Sequence, residues 1–166
     1  RDGDQLVTGE FTVTAVHTPG HAGNHLCFFL EDERLLFSGD HIMQGSTVVI
    51  TPPDGDMGAY MRSLDRLLQR RWKQMLPGHG DAVPDPAARL TELVRHRRTR
   101  EAEVLAELAR APGTAALLAQ RIYTTTPAAL LPAASRNVLA HLIDLSDRNM
   151  AVPEGPITAA TQFSAH

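Results

Sequence analysis

The sequence predicts a mixed α/β (α+β) fold, and three observations carry that prediction. Short apolar runs rich in β-branched residues occupy much of the first fifty positions. From Met57 the apolar period becomes helical, with Tyr60, Met61, Leu64, Leu67 and Leu68 on one side, before residues 72–76 return to strand. Beyond Asp85 the pattern is helical until a short hairpin near the C-terminus. Strand, helix and strand in alternation favour stacked layers of sheet and helix.

Taken in order, Asp2-Gly3-Asp4 signals a turn and Gln5-Leu6-Val7 a short strand. Residues 11–16 alternate, which predicts a second strand, and 26–30 and 35–37 give two more. Glu31-Asp32-Glu33-Arg34 is the charged loop joining that pair as a hairpin. Val48-Val49-Ile50 predicts another short strand before the turn at Pro52-Pro53-Asp54-Gly55, and Asp56 is placed to cap the helix that follows. Asp85 caps a long helix with Pro86 in its first turn. That helix runs to about Arg110 and carries Arg95, His96, Arg97, Arg98 and Arg100, a cluster that reads as a solvated face or as a phosphate or interdomain contact.

Ala111-Pro112-Gly113-Thr114 breaks the helix, 115–123 forms a short one, and 137–145 another, with Val138, Leu139, Leu142 and Ile143 on its apolar side. Residues 150–152 and 161–163 pair around the turn at Pro153-Glu154-Gly155-Pro156. Three helices followed by a hairpin is the winged-helix order, a variant of helix-turn-helix. Two domains are expected, 1–85 and 86–166.

Composition narrows the function. At 166 residues with 43% hydrophobic side chains, the chain can build a real core. No apolar run approaches the roughly 20 residues of a membrane span, so no membrane partner is expected. The single cysteine, Cys27, excludes an internal disulfide and fits a reducing, cytoplasmic location; its apolar neighbours make it a core residue. Residues 1–85 hold 7 Lys/Arg against 12 Asp/Glu, net −5, and 86–166 hold 9 against 7, net +2. That excess is too small to identify a nucleic-acid protein.

The chemistry lies in turns. His17-Thr18-Pro19-Gly20-His21-Ala22-Gly23-Asn24-His25 follows one strand, Phe37-Ser38-Gly39-Asp40-His41 ends another, and Leu76-Pro77-Gly78-His79-Gly80 a third. Each is an apolar strand end, a tight turn, then a side chain able to bind metal. Imidazole and carboxylate donors suit zinc or another borderline metal. The spacing predicts that His21, Asp40 and His79 converge on one metal centre.

These three segments, in this order and spacing, resemble the third, fourth and fifth motifs of the metallo-β-lactamase superfamily. Gly45-Ser46-Thr47-Val48-Val49 and His96-Arg97-Arg98-Thr99-Arg100-Glu101 are similar to its branch with a C-terminal winged-helix domain, which includes proteins reported as endoribonucleases. The resemblance implies the C-terminal half of an αβ/βα sandwich followed by a winged helix. It further implies a pair of zinc ions, with iron or manganese as alternatives. His21 would complete the first metal site, His79 belong to the second, and Asp40 bridge them as the catalytic carboxylate. A metal-bridging hydroxide would then attack an ester, thioester or lactone.

The family's His-X-His-X-Asp-His motif occurs nowhere in the sequence, and the chain opens at Arg1 rather than a methionine. The expectation is therefore the C-terminal part of a hydrolase that alone binds metal weakly and has little activity. Two alternatives stand beside a small-molecule hydrolase: a single-stranded RNA endoribonuclease, and a non-catalytic binding module built on the winged helix. A homodimer is a further partner expectation. Among the remaining side chains, His25, Gly45, Ser46 and Thr47 are substrate-binding candidates. His17 reads as a hydrogen-bonded structural residue, His41 as facing away from Asp40, and His96 and His141 as surface or packing residues.

Overall fold

A computed structural model describes residues 1–166. Five strands form the first sheet: β1 (Gln5–Val7), β2 (Thr12–His17), β3 (Leu26–Leu30), β4 (Leu35–Gly39) and β5 (Gln74–Pro77), in the order 1-2-3-4-5. The first three pairings are antiparallel, and β4 and β5 are parallel. A parallel neighbour needs a crossover, supplied here by helix α1 (Met57–Leu68). Asp56 caps α1 by accepting from the Ala59 N–H at 2.8 Å.

One face of this sheet buries Val16, Cys27, Leu36 and Met75 against Tyr60, Leu64 and Leu67 of α1 and Leu90 and Leu93 of helix α2 (Pro86–Arg110). The opposite face is apolar and open. Cross-strand partners Phe28 and Phe37 are 44% and 42% exposed, with Leu6 and Val13 paired further along it. Two-sided apolarity is the mark of a sheet covered on both faces.

The second unit comprises α2, β6 (Gly113–Thr114), α3 (Ala115–Ile122), a 3-10 turn (Ala128–Leu130), α4 (Leu131–Asp147), β7 (Ala151–Pro153) and β8 (Gln162–Ala165). Its sheet runs 6-8-7. Val104, Leu108, Leu118, Val138, Leu142, Leu145 and Phe163 form its core, and the winged-helix order is present. Asp85 caps α2 through the Ala88 N–H at 3.0 Å, with Pro86 in the first turn. α2 serves both cores: Leu90, Leu93 and Val94 belong to the first, Val104 and Leu108 to the second. No helix is long and apolar enough to cross a membrane.

Three elements differ from expectation. α4 starts at Leu131 rather than 137, β6 is an added strand, and Val48-Val49-Ile50 forms no strand. The last has a clear cause. The backbone groups of this segment bond to side chains: Val48 O accepts from Arg97, Val49 O from His21, and the Ile50 N–H donates to Asn137. β-branched propensity suggested a strand, and tertiary partners took the bonds instead.

Candidate metal centre at the strand ends

Because β2 and β4 both pair antiparallel with β3, and β4 is parallel to β5, these three strands point one way. Their C-terminal turns therefore leave at one edge of the sheet, where open α/β sheets place their sites.

After β2 the chain lies flat on α1. The Asp56 N–H donates to Gly20 O at 2.8 Å, and Ser63 Oγ donates to Pro19 O at 2.8 Å. Gly20 has φ +146°, and a Cβ there would fall 2.4 Å from the Tyr60 Cα, so only glycine permits the approach. The turn delivers His21, whose Nδ1 lies 3.0 Å from Val49 O. A carbonyl only accepts, so Nδ1 carries a proton, and in the neutral ring Nε2 keeps a free lone pair. This is the tautomer of a metal-ligating histidine whose second nitrogen is held by a carbonyl.

After β4, the His41 N–H donates to Ser38 O at 3.1 Å and Ser38 Oγ to Ile42 O at 2.8 Å, closing the turn that carries Asp40. The Gly78 N–H donates to Gly39 O at 2.8 Å, which ties the end of β5 to that of β4. His79 Nε2 thereby lies 3.5 Å from Asp40 Oδ1, on the solvent side of the edge. His25 packs over Gly39, whose φ is +52° and where a Cβ would meet His25 Nε2 at 2.8 Å. The His25 Nδ1 and Thr18 Oγ1 lie 2.8 Å apart. Burial and then the neighbouring His21 push the His25 ring below its usual pKa, against the opposing pull of Asp40.

Asp40 and His79 are thus brought together, with His25 beside them. No group of three or more His, Cys, Asp or Glu side chains is gathered to hold a metal, so His21 does not join the pair in a ready three-donor set. The donor chemistry fits a divalent cation, while the set supplied by these residues is incomplete.

Other candidates lie elsewhere. Gly45, Ser46 and Thr47 line a cleft of about 310 Å³ with Arg89, Glu92, Leu93 and His96, and none of His21, His25, Asp40 or His79 lines it. Arg89 Nε donates to Met43 O at 2.8 Å, and its Nη2 donates to Ser46 O, so α2 fixes this loop. His17 Nε2 donates to Gly23 O at 3.0 Å, a structural bond. His41 faces the core, its ring 4.7 Å from that of Tyr60, and burial pushes its pKa down to about 3. Cys27 is fully buried, and burial raises its thiol to about 11.

The basic cluster is only partly a solvated face. Arg95 and Arg98 are exposed, whereas Arg97 is 2% exposed and donates to Val48 O and to Asn137 Oδ1. Sequence reasoning named Arg97 only as a member of the basic cluster and did not single out Asn137. An arginine at a core-facing position of α2 (Leu90, Leu93, Val94, Arg97) was the available signal.

Comparison with known proteins bears on the family and the fold. Residues 1–79 match the metallo-beta-lactamase superfamily, and residues 114–156 match the beta-lactamase associated winged helix domain. The Beta-lactamase-like protein 2 homolog of Drosophila melanogaster is 33% identical over 144 residues, covering 85% of this chain and 48% of that protein. An atrochrysone carboxyl ACP thioesterase of Claviceps purpurea is 34% identical over 99 residues, covering 60% of this chain and 31% of that protein. The crystal structure of a metallo-beta-lactamase family protein from Thermus thermophilus superposes with TM-score 0.85 at 27% identity, covering 100% of this chain and 53% of that one. The chain spans about half or less of the length of these relatives.

Proposed function

Residues 1–79 belong to the metallo-β-lactamase superfamily and residues 114–156 to the β-lactamase-associated winged-helix family, and from that premise we propose a metal-dependent hydrolase of an ester, thioester or lactone. The observation that carries the proposal is the meeting of Asp40 and His79 at the edge where His21 presents a free Nε2. His21, Asp40 and His79 would hold the metal, with Asp40 the carboxylate among them. Zinc suits this mixture of imidazole and carboxylate, with iron or manganese as alternatives. The chemistry such ions supply is Lewis acidity at the attacked carbonyl.

The chain's own residues do the rest. The Val49 carbonyl keeps Nε2 of His21 available as a donor of electrons. The ring of His25, next to Asp40, offers a hydrogen bond to a substrate at the open edge. Thr18 Oγ1, within 2.8 Å of His25 Nδ1, orients that ring. The name of the Claviceps relative favours a thioester among the three substrate classes.

A second reading, hydrolysis of single-stranded RNA, draws on exposed Arg95 and Arg98 at the start of the winged-helix unit. It is the weaker one, because Arg89 and Arg97 are already committed to backbone carbonyls. The test is hydrolysis of acyl thioesters, lactones and short RNAs by the protein containing this chain, with and without added zinc. Asp40→Ala abolishes metal-dependent turnover if the proposal holds, and undiminished turnover overturns it. RNA as the preferred substrate, with rates falling steeply with salt, selects the second reading.

A further inference from the structure

We infer that Asn137 and Arg97, outside the metallo-β-lactamase match, are positioning residues that fix the orientation and tautomer of His21 through a single peptide group. That group joins Val49 to Ile50. Its carbonyl oxygen accepts from His21 Nδ1 at 3.0 Å, and its N–H donates to Asn137 Oδ1 at 2.9 Å. In a planar trans peptide the C=O and N–H point in opposite directions. Holding one end therefore aims the other, and Asn137 on α4 sets the direction of the carbonyl that His21 meets.

Arg97 braces the same unit from α2. Its Nη1 donates to Asn137 Oδ1 at 3.3 Å, holding the amide in place, and its Nη2 donates to Val48 O, fixing the preceding peptide. The guanidinium is buried, with its carbon 5.1 Å from the centre of the Tyr60 ring, and the Tyr60 hydroxyl donates to His41 O at 3.1 Å, one residue beyond Asp40. Val48 and Ile50 are buried on either side of Val49, so the segment has no freedom to rotate as a whole. Hydrogen bonds in series also polarise one another: donation to Asn137 makes Val49 O a better acceptor for His21. The winged-helix unit thus reaches the strand-end site by a route of two hydrogen bonds and one peptide plane.

The consequence for catalysis rests on the reading of His21 as a metal ligand; the positioning itself does not. Long-range ¹H–¹⁵N correlation of the histidine rings, at a pH where they are neutral, reports the tautomer of His21 directly in the metal-free chain. The expected result is a single Nδ1–H tautomer in the wild type, loss of that single form in Asn137→Leu, and its retention in Asn137→Asp, which keeps the acceptor oxygen. Should Asn137→Leu fail to fold, Asn137→Gln, which displaces the acceptor by one methylene, answers the same question.

An unchanged His21 signature in a folded Asn137→Leu or Asn137→Gln protein overturns the inference, as does failure of Asn137→Asp to preserve it. Zinc titration of the protein containing this chain then separates the two claims. Lost tautomer with affinity lowered about tenfold or more supports both, the usual size of effect for a group that orients a ligand. Lost tautomer with unchanged affinity supports the positioning and overturns His21 as a ligand.

Discussion

Gly78 donates its backbone N–H to the carbonyl of Gly39 at 2.8 Å, and this bond places His79 against Asp40. Two glycines at the ends of parallel strands thus do what neither ionisable side chain does alone. They set the separation of an imidazole and a carboxylate on the exposed edge of a sheet.

Gly39 is the more demanding of the two positions. Its φ of +52° and the 2.8 Å approach of His25 Nε2 leave no room for a methyl group. Gly39→Ala should destabilise the chain by about 1–3 kcal/mol, from left-handed backbone strain and displacement of the ring. Urea unfolding checks the magnitude, and the His25 ring resonances check the displacement.

His141 is buried on α4, and neither of its ring nitrogens has a hydrogen-bond partner. Burial pushes its pKa down to about 3, because the surrounding core withholds water from the charged form. The unfolded chain binds a proton near the ordinary value of 6.5, which the folded chain refuses until about 3. Stability should therefore be full above pH 6.5 and fall as the pH drops from there toward 3, by up to about 1.4 kcal/mol per pH unit for this group. His141→Leu should flatten that slope by as much as one proton, measured from urea midpoints between about pH 7 and pH 4.

Arg97→Met keeps an unbranched apolar stem and removes the bonds to Val48 O and Asn137 Oδ1 and the contact with Tyr60. A loss of about 2–4 kcal/mol is expected, since each buried hydrogen bond from a charged donor contributes roughly 1.5–3 kcal/mol. Arg97→Lys should recover only part of it, because one ammonium cannot reach both acceptors with the geometry of a planar fork. Chemical denaturation of the three proteins side by side tests the order.

Phe28 and Phe37 form a cross-strand pair on the uncovered face of the first sheet. Phe28→Lys and Phe37→Lys should change the stability of the chain by less than about 1 kcal/mol, because little contact is lost. Both should reduce binding of a hydrophobic dye such as ANS. If a second layer covers this face in the longer relatives, the same substitutions in those proteins should be severely destabilising.

Much of the fold was legible because its signals are local. Asp56 and Asp85 cap the helices they precede, and the alternation of residues 11–16 and the charged loop at 31–34 set out the antiparallel strands. The turn histidines were legible for the same reason. What escaped was settled by distant partners. The segment 48–50 has the composition of a strand, yet its bonds go to side chains on α2, on α4 and in the turn after β2. β6 is two residues long and exists only beside β8. α4 begins at Leu131 with no side-chain cap, and Pro132 in its first turn is the one local sign of its start. Arg97 looked like one member of a charged run, although its register with Leu90, Leu93 and Val94 puts it on the core-facing side of α2.

Helix α2 lends its first half to one core and its second half to the other. The linker at residue 85 is consequently a poor place to divide the protein. A piece ending there would lack Leu90 and Leu93, opening a hole beneath the sheet worth about 2–5 kcal/mol for each missing leucine. The helical piece, released on its own, would carry a greasy stripe on its longest rod with nothing to shelter it. The two units thus share one helix as a common beam.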